Sequence, residues 1–477
     1  MPDFSIALPE IFIACAVMAL LMIGAFRGNK STSLVSWLSV VSLIIAGLLV
    51  QYEAGETFVT FSGLYRDDAF GAFMKILCLG ASALAIIMSM EFNRREKLAR
   101  FEFPILIVIA TLGMMVMISA NDLMSLYLGI ELMSLSLYIT AAFRRDSERS
   151  TEAGLKYFVL GALASGMLLY GCSLIYGFTG TTNFDVLSQI FTTGEATPGI
   201  GLIIGLVFLI AGLAFKVSAV PFHMWTPDVY EGVPTPVTAF FAAAPKVAGM
   251  ALFLRVFIEP FGALVDQWQQ IIIFISIASM ILGAFAAITQ KNIKRLMAYS
   301  SIGHIGYALV GLAAGTEEGV FAVLVYMSIY VVMNIGAFAC ILAMRQRDGM
   351  VEDISELAGL SKSQPWMAFL LMIFMFSLAG IPPLAGFFGK FYIFVAAINA
   401  GLIPLAVIGL VTSVVGAFYY IRIVKIMYFD DAGEGFVPVG RTLSIIMTVS
   451  GIFVAFFVLF PSPLLDSAKA AAAVLFS

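Results

Sequence analysis

Long apolar runs occupy most of this chain, and their length constrains its fold more than any other feature. Hydrophobic residues make up 61% of the 477 residues, and charged residues make up only 12%. The charged share is roughly half that of a soluble domain. Because a helix needs about 20 apolar residues to cross a bilayer, we predict an all-α polytopic membrane protein.

Fourteen apolar runs are candidate transmembrane helices. On the basis of about 20 residues each, they lie at about 8–26, 32–51, 69–91, 102–120, 122–143, 153–177, 199–220, 235–258, 269–290, 295–314, 318–344, 365–398, 402–427 and 442–461. No loop between them is long enough to form a domain. The longest loops on one side, about 52–67 and 178–198, are expected to form short hairpins.

The basic residues between the runs collect on one side of the membrane. If the runs alternate from an outside N-terminus, the outside segments contain only Arg66 and Lys469. The cytoplasmic loops contain eighteen basic residues: Arg27, Lys30, Arg94, Arg95, Lys97, Arg100, Arg144, Arg145, Arg149, Lys291, Lys294, Arg295, Arg345, Arg347, Lys362, Arg422, Lys425 and Arg441. The positive-inside rule predicts such a split for a correct register. We therefore expect both termini on the periplasmic side.

Cysteine and histidine are too few and too scattered for the common metal centres. The chain has no CxxC motif, and its only candidates are Cys15, Cys78, Cys172, Cys340, His223 and His304. Zinc and iron–sulfur sites need clustered ligands. We therefore predict no metal site, no disulfide and no cofactor on this chain.

The absence of a basic tract and of a glycine-rich phosphate loop argues against nucleic-acid and nucleotide binding. The chain begins Met-Pro-Asp without a basic region, so we expect the first run to be retained.

Four ionisable residues lie deep inside the apolar runs: Glu131, Lys216, Lys246 and Lys390. A charge at the centre of a bilayer costs at least about 2.5–3.5 kcal/mol. Groups retained at that cost indicate a function that uses them, and such groups are well suited to moving protons or cations across the membrane.

Prolines interrupt two of the runs close to a lysine. The seventh run ends after Lys216 in PFHMWTPDVYEGVPTP (221–236), and the twelfth contains GIPPLAGFFGKF (380–391), which includes Lys390. Proline removes a backbone donor and breaks the helix, so polar groups or water must satisfy the freed carbonyls. Each break therefore predicts a hydrated pocket.

The two breaks lie five runs apart, which predicts two inverted five-helix repeats. The predicted organisation is a three-helix segment (1–101), a first repeat (102–258), a second, inverted repeat (259–427) and a C-terminal helix (428–477).

Each candidate residue also has a structural explanation. Glu131 and Lys216 could form an ion pair that only holds helices together, or a pair that opens to release a proton. Lys246 has no carboxylate nearby in sequence, so we favour a lysine that loads and unloads a proton over one that snorkels. Lys390 is interpreted in the same way.

The remaining ionisable groups are less specific. His223 and His304 are the groups that titrate near neutrality, and each could equally be a packed core residue. Serines and tyrosines around His304 could support a hydrogen-bonded relay. Lys75, Lys156 and Arg255 lie nearer run ends, where we expect pairing or snorkelling.

Three motifs together resemble the antiporter-like membrane subunits of respiratory complex I (NADH:quinone oxidoreductase). They are PFHMWTPDVYEGVPTP (221–236), KRLMAYSSIGHIGY (294–307) and GIPPLAGFFGKF (380–391). With fourteen spans, the resemblance covers nearly the whole chain. Three features resemble the N-type branch of this family. They are the residues around His223, the lysine at 390 and the absence of a long lateral helix after the last span.

The resemblance implies a role for each matching position. Glu131 and Lys216 would form the charge pair of a first half-channel open to the cytoplasm, and Lys246 would be the central proton carrier. Lys390 would belong to a second half-channel that faces outward, with His304 on the hydrophilic axis between them. His223, within the first motif, joins these residues as a candidate for proton translocation.

The resemblance also implies partners. The chain would contact other membrane-arm subunits of complex I, especially neighbouring antiporter-like subunits, and lipids of the bacterial inner membrane. FMN, iron–sulfur clusters and the reduction of quinone would belong to partner subunits. Three alternatives stay open at this point: a subunit of a multi-subunit sodium/proton antiporter, a stand-alone solute transporter and a structural scaffold.

Overall fold

The computed structural model describes residues 3–53, 57–194, 199–347 and 349–476. Its helices are α1 (Leu8–Arg27), α2 (Thr32–Glu53), α3 (Ala69–Arg95), α4 (Glu102–Ile118), α5 (Leu123–Ala141), α6 (Glu148–Thr179), α7 (Phe184–Thr193), α8 (Ile200–Val217), α9 (Thr226–Gly232), α10 (Thr235–Ala242), α11 (Ala244–Ile258), α12 (Val265–Ile288), α13 (Ile293–Ala313), α14 (Glu317–Leu342), α15 (Leu360–Ser363), α16 (Pro365–Ala379), α17 (Ala385–Asn399), α18 (Ile403–Phe429), α19 (Arg441–Phe456) and α20 (Ser462–Val474). Two small hairpins pair β1 (Phe58–Thr60) with β2 (Tyr65–Asp67), and β3 (Arg345–Gln346) with β4 (Gly349–Met350).

The helices have the length and composition of membrane spans. Within the described chain, eleven helical stretches are long and apolar enough to cross a membrane, and the first of them contains both α1 and α2. The shorter α4, α16 and α17 are also apolar. This confirms the predicted all-α membrane protein.

Helices α10, α11, α13 and α14 form the centre of the molecule. Every residue of α11 is buried, and α13 and α14 are buried along almost their whole length. The outer helices instead expose large apolar side chains, such as Leu48 on α2 and Val414 on α18. Lys246 and His304 therefore lie on the most enclosed helices of the fold.

Both predicted helix breaks are present. Helix α8 ends at Val217, where Ser218 takes a left-handed conformation (φ 66°), and the chain reaches α9 through a turn that contains the cis Val220–Pro221 bond. Helix α16 ends at Ala379 before Gly380 (φ 88°), and the cis Pro382–Pro383 bond precedes α17.

A third break, between α10 and α11, was not predicted. The backbone leaves the helical conformation at Ala243 (φ −110°, ψ −90°), and Pro245 lies in the first turn of α11. Proline is well tolerated in a first turn because its missing N–H would have no partner there. The break places Lys246 at the start of a helix, rather than in the middle of an unbroken span.

The hairpin prediction is confirmed in the first stretch and wrong in the second, and the C-terminal segment contains one more helix than predicted. Residues 58–67 form the expected hairpin, with Phe58 opposite Asp67. Residues 184–193 form α7 instead, because the Asn183 side chain caps the helix by accepting from the N–H of Val186. The C-terminal segment contains α20 in addition to α19, since its alanine-rich sequence has high helix propensity. Residues 54–56 and 195–198 of the predicted hairpin stretches lie outside the described residues.

Candidate functional site

Glu131 and Lys216 are joined through a serine. Lys216 Nζ donates to Ser134 Oγ (2.8 Å) and to Ser165 Oγ (3.2 Å). Ser165 Oγ in turn donates to the carboxylate of Glu131. These residues come from α5, α6 and α8, and no direct Glu131–Lys216 ion pair within 4 Å is among the described contacts. The arrangement holds the two charges close while leaving a hydroxyl between them.

Lys246 binds the end of the broken helix α8. Its Nζ donates to the carbonyl of Val217 (2.6 Å) and to Ser218 Oγ (2.5 Å), and it lies 5.8 Å from the centre of the Trp225 ring. Val217 directly follows Lys216 in the chain. The break thus has Lys216 in the last turn of α8 and Lys246 bound to the end of the same helix.

Lys390 repeats this arrangement at the second break. Its Nζ donates to the carbonyls of Leu378 (3.1 Å) and Ala379 (3.0 Å) at the end of α16, and to Ser413 Oγ (2.8 Å) on α18. A Cβ at Gly380 would lie 3.0 Å from the lysine side chain. Glycine is thus required there by its positive φ and by the lysine packed against it.

His304 lies in a cluster of hydroxyl groups. Its Nδ1 is hydrogen-bonded to Tyr326 and its Nε2 to Tyr420 (3.1 Å), which also bonds Ser300. His304 and Lys390 line the same small cavity, of about 10 Å³. That volume is close to the minimum for one water molecule.

The two longest motifs meet in an ion cluster away from the lysines. Arg295 bonds Asp228 (2.7 Å) and Glu231 (3.0 Å), and Lys156 bonds Asp228 (2.9 Å) and Glu152 (2.7 Å). This cluster ties α6, α9 and α13 together, and it confirms pairing for Lys156.

His223 makes no hydrogen bond to the other candidate residues in the described structure. It is part of the turn between α8 and α9, and its Nδ1 is buried without a hydrogen-bond partner among the described residues. No hydrogen bond in the described structure joins its ring to Lys216 or Lys246.

The three candidate lysines differ from the other buried lysines in the partners of their ammonium groups. Lys75 and Lys294 are each within 2.7 Å of a carboxylate oxygen, Glu10 and Glu352 respectively. Lys216, Lys246 and Lys390 are at most 7% exposed, yet none has a carboxylate within 4 Å among the described residues. Their partners are hydroxyls and backbone carbonyls. Burying an ammonium group without a counter-charge is costly, and loss of its proton relieves the cost.

Sequence reasoning missed most of the partners of these groups. Ser134, Ser165, Ser218 and Ser413 bind the lysines, and Tyr326 and Tyr420 bind His304. Only Ser134 had a local signal, because it follows Glu131 by three residues and so lies on the same helix face. The others come from helices that are distant in sequence.

Comparison with known proteins identifies a family. Residues 120–416 match the model of the NADH:quinone oxidoreductase/Mrp antiporter transmembrane family. A protein of Parvibaculum lavamentivorans described as NADH-quinone oxidoreductase subunit N is 60% identical over 98% of this chain and 97% of its own length. A protein of Rhodospirillum rubrum with the same description is 60% identical over 98% of this chain and 97% of its own length.

Solved structures agree over almost the full length. A chain of respiratory complex I from Thermus thermophilus superimposes with a TM-score of 0.84 at 32% identity, covering 97% of this chain and 99% of that chain. A chain of the Mrp complex from Dietzia has a TM-score of 0.85 at 22% identity, covering 99% of this chain and 98% of that chain. The latter likeness shows a shared fold.

Proposed function

The chain belongs to the NADH-quinone oxidoreductase subunit N family, and on that premise we propose that it moves protons through two lysine-centred half-channels. Redox chemistry in partner subunits would drive the movement. The observation that carries the proposal is the set of three buried lysines that have hydroxyl and carbonyl partners in place of carboxylates. Such a lysine can accept and release a proton with little rearrangement of its surroundings.

The first half-channel is built around Glu131, Lys216 and Lys246. Ser165 bridges Glu131 and Lys216, so rotation of one hydroxyl breaks or restores the link between them. When the carboxylate no longer stabilises the ammonium, Lys216 can give up its proton. Lys246, which is bonded to the adjacent Val217 carbonyl, is the acceptor in this proposal.

The second half-channel is built around His304 and Lys390. The two residues line one cavity, and the hydroxyls of Tyr326, Tyr420 and Ser300 extend the hydrogen-bonded path. A hydroxyl both donates and accepts, so such a chain can pass a proton. Lys390 then releases the proton to the outside in this proposal.

We propose that the helices form fourteen spans with two inverted repeats. The eleven long stretches give twelve spans because the first contains α1 and α2; α4 adds one, and the broken pair α16–α17 adds one. Two helix pairs that lie five spans apart each have a close contact between their backbones at a glycine, which supports the proposed offset of the repeats. A Cβ on Gly129 would lie 2.7 Å from the N atom of Met117 between α4 and α5, and one on Gly283 would lie 2.6 Å from the N atom of Gly303 between α12 and α13. The proposed units remain 1–101, 102–258, 259–427 and 428–477.

We propose that the chain lies in the bacterial inner membrane with both termini in the periplasm. The concentration of basic residues in the loops on the opposite side supports this orientation. A cavity of about 460 Å³ opens beside α9 and α10, between Glu231, Thr235, Lys294 and Glu352. The charged side chains of Glu231, Lys294 and Glu352 suit a proton entrance from the cytoplasm in the proposed orientation. The proposed partners are neighbouring antiporter-like subunits of the membrane arm and lipids.

The test uses inverted membrane vesicles from cells that carry Lys246→Ala in the native operon. NADH drives the vesicles, and both quinone reduction and acidification of the lumen are recorded. We expect both activities to fall while the complex stays assembled. The exposed Lys362→Ala is the matched control and should leave both unchanged. If Lys246→Ala pumps and reduces quinone as the native complex does, the proposal is wrong.

A second candidate function is that of a subunit of a multi-subunit sodium/proton antiporter, because the chain shares its fold with a chain of the Mrp complex. Sodium-dependent proton exchange in vesicles without NADH would favour that function. The higher identity to N subunits over nearly the whole chain favours complex I.

A further inference from the structure

A second group of buried ionisable side chains lies outside the proposed half-channels. Lys75 on α3 is completely buried, and its Nζ is 2.7 Å from Glu10 Oε1, 3.0 Å from the hydroxyl of Tyr65 and 3.5 Å from Asp67 Oδ1. The side chains of Glu10 and Asp67 are each 7% exposed. Helix α1, strand β2 and helix α3 thus bring two carboxylates to one ammonium group.

The surrounding charges do not balance the extra carboxylate. Asp68, the next residue, binds Arg255 through two hydrogen bonds of 2.8 Å. Arg66 binds Glu259 (3.0 Å) and Asp185. Among the described residues, Lys75 is the one cation in an ion pair with Glu10 or Asp67. The charged residues of the packed helix α20, Asp466 and Lys469, are exposed.

Glu10 also has an unpartnered oxygen. Its Oε2 is buried and has no hydrogen-bond partner among the described residues. A buried carboxylate oxygen without a donor is costly. Protonating one of the two carboxylates around Lys75 removes the excess charge, and a neutral carboxylic acid is less costly to bury than a carboxylate.

We propose that Glu10, Asp67 and Lys75 form a proton-holding site in which the two carboxylates share one proton. The site is then neutral overall, with one ammonium, one carboxylate and one carboxylic acid. Burial raises the pKa of Asp67, and the attraction of Lys75 offsets this only in part. The ligand is a proton alone, and no group on the family's lysine axis takes part.

The site adjoins the element that holds the central lysine. One turn along α3 from Lys75, the thiol of Cys78 donates to the carbonyl of Ala244 (3.6 Å). Ala244 begins α11, two residues before Lys246. A change of charge on the carboxylates beside Lys75 therefore acts on α3, a helix that contacts the α10–α11 break.

Infrared spectroscopy of the purified whole complex tests the site, because a protonated carboxyl has its own C=O absorption. Spectra at neutral pH are compared for the native complex, Glu10→Gln and Asp67→Asn. With one shared proton, either substitution leaves a single ionised carboxylate beside Lys75, so both variants should lose the same protonated-carboxyl band. Glu317→Gln, an exposed glutamate at the start of α14, is the control and should keep it. Retention of the band in both single variants would overturn the proposal.

Two further measurements keep the test decisive if a single variant does not assemble. Tyr65→Phe preserves both carboxylates but removes the hydroxyl beside Lys75, so it should shift the band without abolishing it. In the native complex the band should disappear as the pH rises and the shared proton leaves. A band unmoved by Tyr65→Phe and unchanged up to alkaline pH would also contradict the proposal.

The shared proton makes the stability of the folded site depend on pH. The folded site keeps a proton at pH values where free carboxyls have lost theirs, so the folded state binds more protons than the unfolded state. Stability contributed by the site therefore falls as the pH rises, by up to about tenfold in the folding equilibrium per pH unit. Thermal-stability measurements across neutral pH should show this slope in the native complex and in Glu317→Gln. The slope should be absent in Asp67→Asn, and an equal slope there would count against a shared proton.

Discussion

Ser165 links the half-buried carboxylate of Glu131 to the buried ammonium group of Lys216. It donates to Glu131 and accepts from Lys216, so the glutamate and the lysine interact through it. Hydrogen bonds to charged groups contribute about 1.5–3 kcal/mol, which is enough to decide whether the lysine keeps its proton. The structure thus has a polar link where the sequence suggested a simple ion pair.

Ser165→Ala removes this link while leaving both charged residues in place. We expect NADH-driven acidification of inverted vesicles to slow by roughly tenfold or more, as the energy of one such bond implies. Quinone reduction should fall with it because the two processes are coupled. The complex should remain assembled.

Ser136→Ala is the matched control, since its hydroxyl bonds only the Leu132 carbonyl within α5. Ser165→Thr, which keeps the hydroxyl, should retain most of the activity. Normal pumping by Ser165→Ala would show that the bridge is not needed.

Pairs of helices are held together by backbone contact at glycines. Gly129 on α5 faces the backbone of Met117 on α4, and Gly283 on α12 faces the backbone of Gly303 on α13. Small residues at membrane helix interfaces allow such close approach. These contacts fix the α4–α5 pair, which carries Glu131, and the α12–α13 pair, which carries His304.

Gly129→Ala tests the first contact. The added Cβ would lie 2.7 Å from a backbone N atom, which cannot rotate away as a side chain can. Overpacking of this kind typically costs about 1–3 kcal/mol, so the thermal midpoint of the complex and the yield of assembled subunit should both fall. Gly166→Ala on α6, where nothing lies within 4 Å, is the control and should be neutral. Equal yields for the two variants would show that α4 and α5 can separate without cost.

A buried ion pair joins the N-terminal segment to α11. The side chains of Arg255 and Asp68 are 1% and 0% exposed. Asp68→Asn should destabilise the chain by about 3–5 kcal/mol because it leaves a buried guanidinium short of its main counter-charge. The measurement is the amount of subunit retained in the complex after detergent extraction and mild heating. Asp185→Asn, which alters a 43% exposed partner of Arg66, should have a much smaller effect.

At the scale of the whole molecule, the most enclosed helices carry Lys246 and His304, and the outer helices expose large apolar side chains. Lys246 lies on a helix whose every residue is buried, and His304 lies on α13, which is nearly as enclosed. An enclosed position restricts water, so in the proposed function the few polar side chains present define the path of the proton. The outer helices α18 and α19 expose apolar side chains to the membrane or to neighbouring subunits.

Thiol labelling tests the proposed orientation of the whole chain. Ser363 and Ser467 are both exposed, on α15 and α20 respectively, and each can be replaced by cysteine in a Cys15→Ser background, since Cys15 is exposed and the other three cysteines are buried. In right-side-out vesicles, a membrane-impermeant maleimide should label Ser467→Cys and leave Ser363→Cys unlabelled. Inverted vesicles should give the opposite pattern. The reverse result in both preparations would invert the proposed topology.

The sequence by itself determined the membrane class, the positions of two helix breaks and the buried lysines. Each of these depends on local information: the length of an apolar run, a proline that cannot donate, or a charge with apolar neighbours. The three motifs identified the family from local information too, because each is a continuous stretch of sequence. The third break, at Ala243, had only Pro245 as a signal, and proline in a first turn is compatible with an ordinary helix start.

Only the tertiary structure decided which partners those groups have. Asp68 and Arg255 are 187 residues apart, and Ser134 and Lys216 are 82 residues apart, yet each pair is in contact. Side-chain pattern within one helix does not reveal the register in which that helix packs against distant ones. For this reason Lys75 could be expected to pair, but its two carboxylates on α1 and β2 could not be named. The difference between a lysine with a carboxylate and one with only hydroxyls and carbonyls is therefore a property of the packed helices.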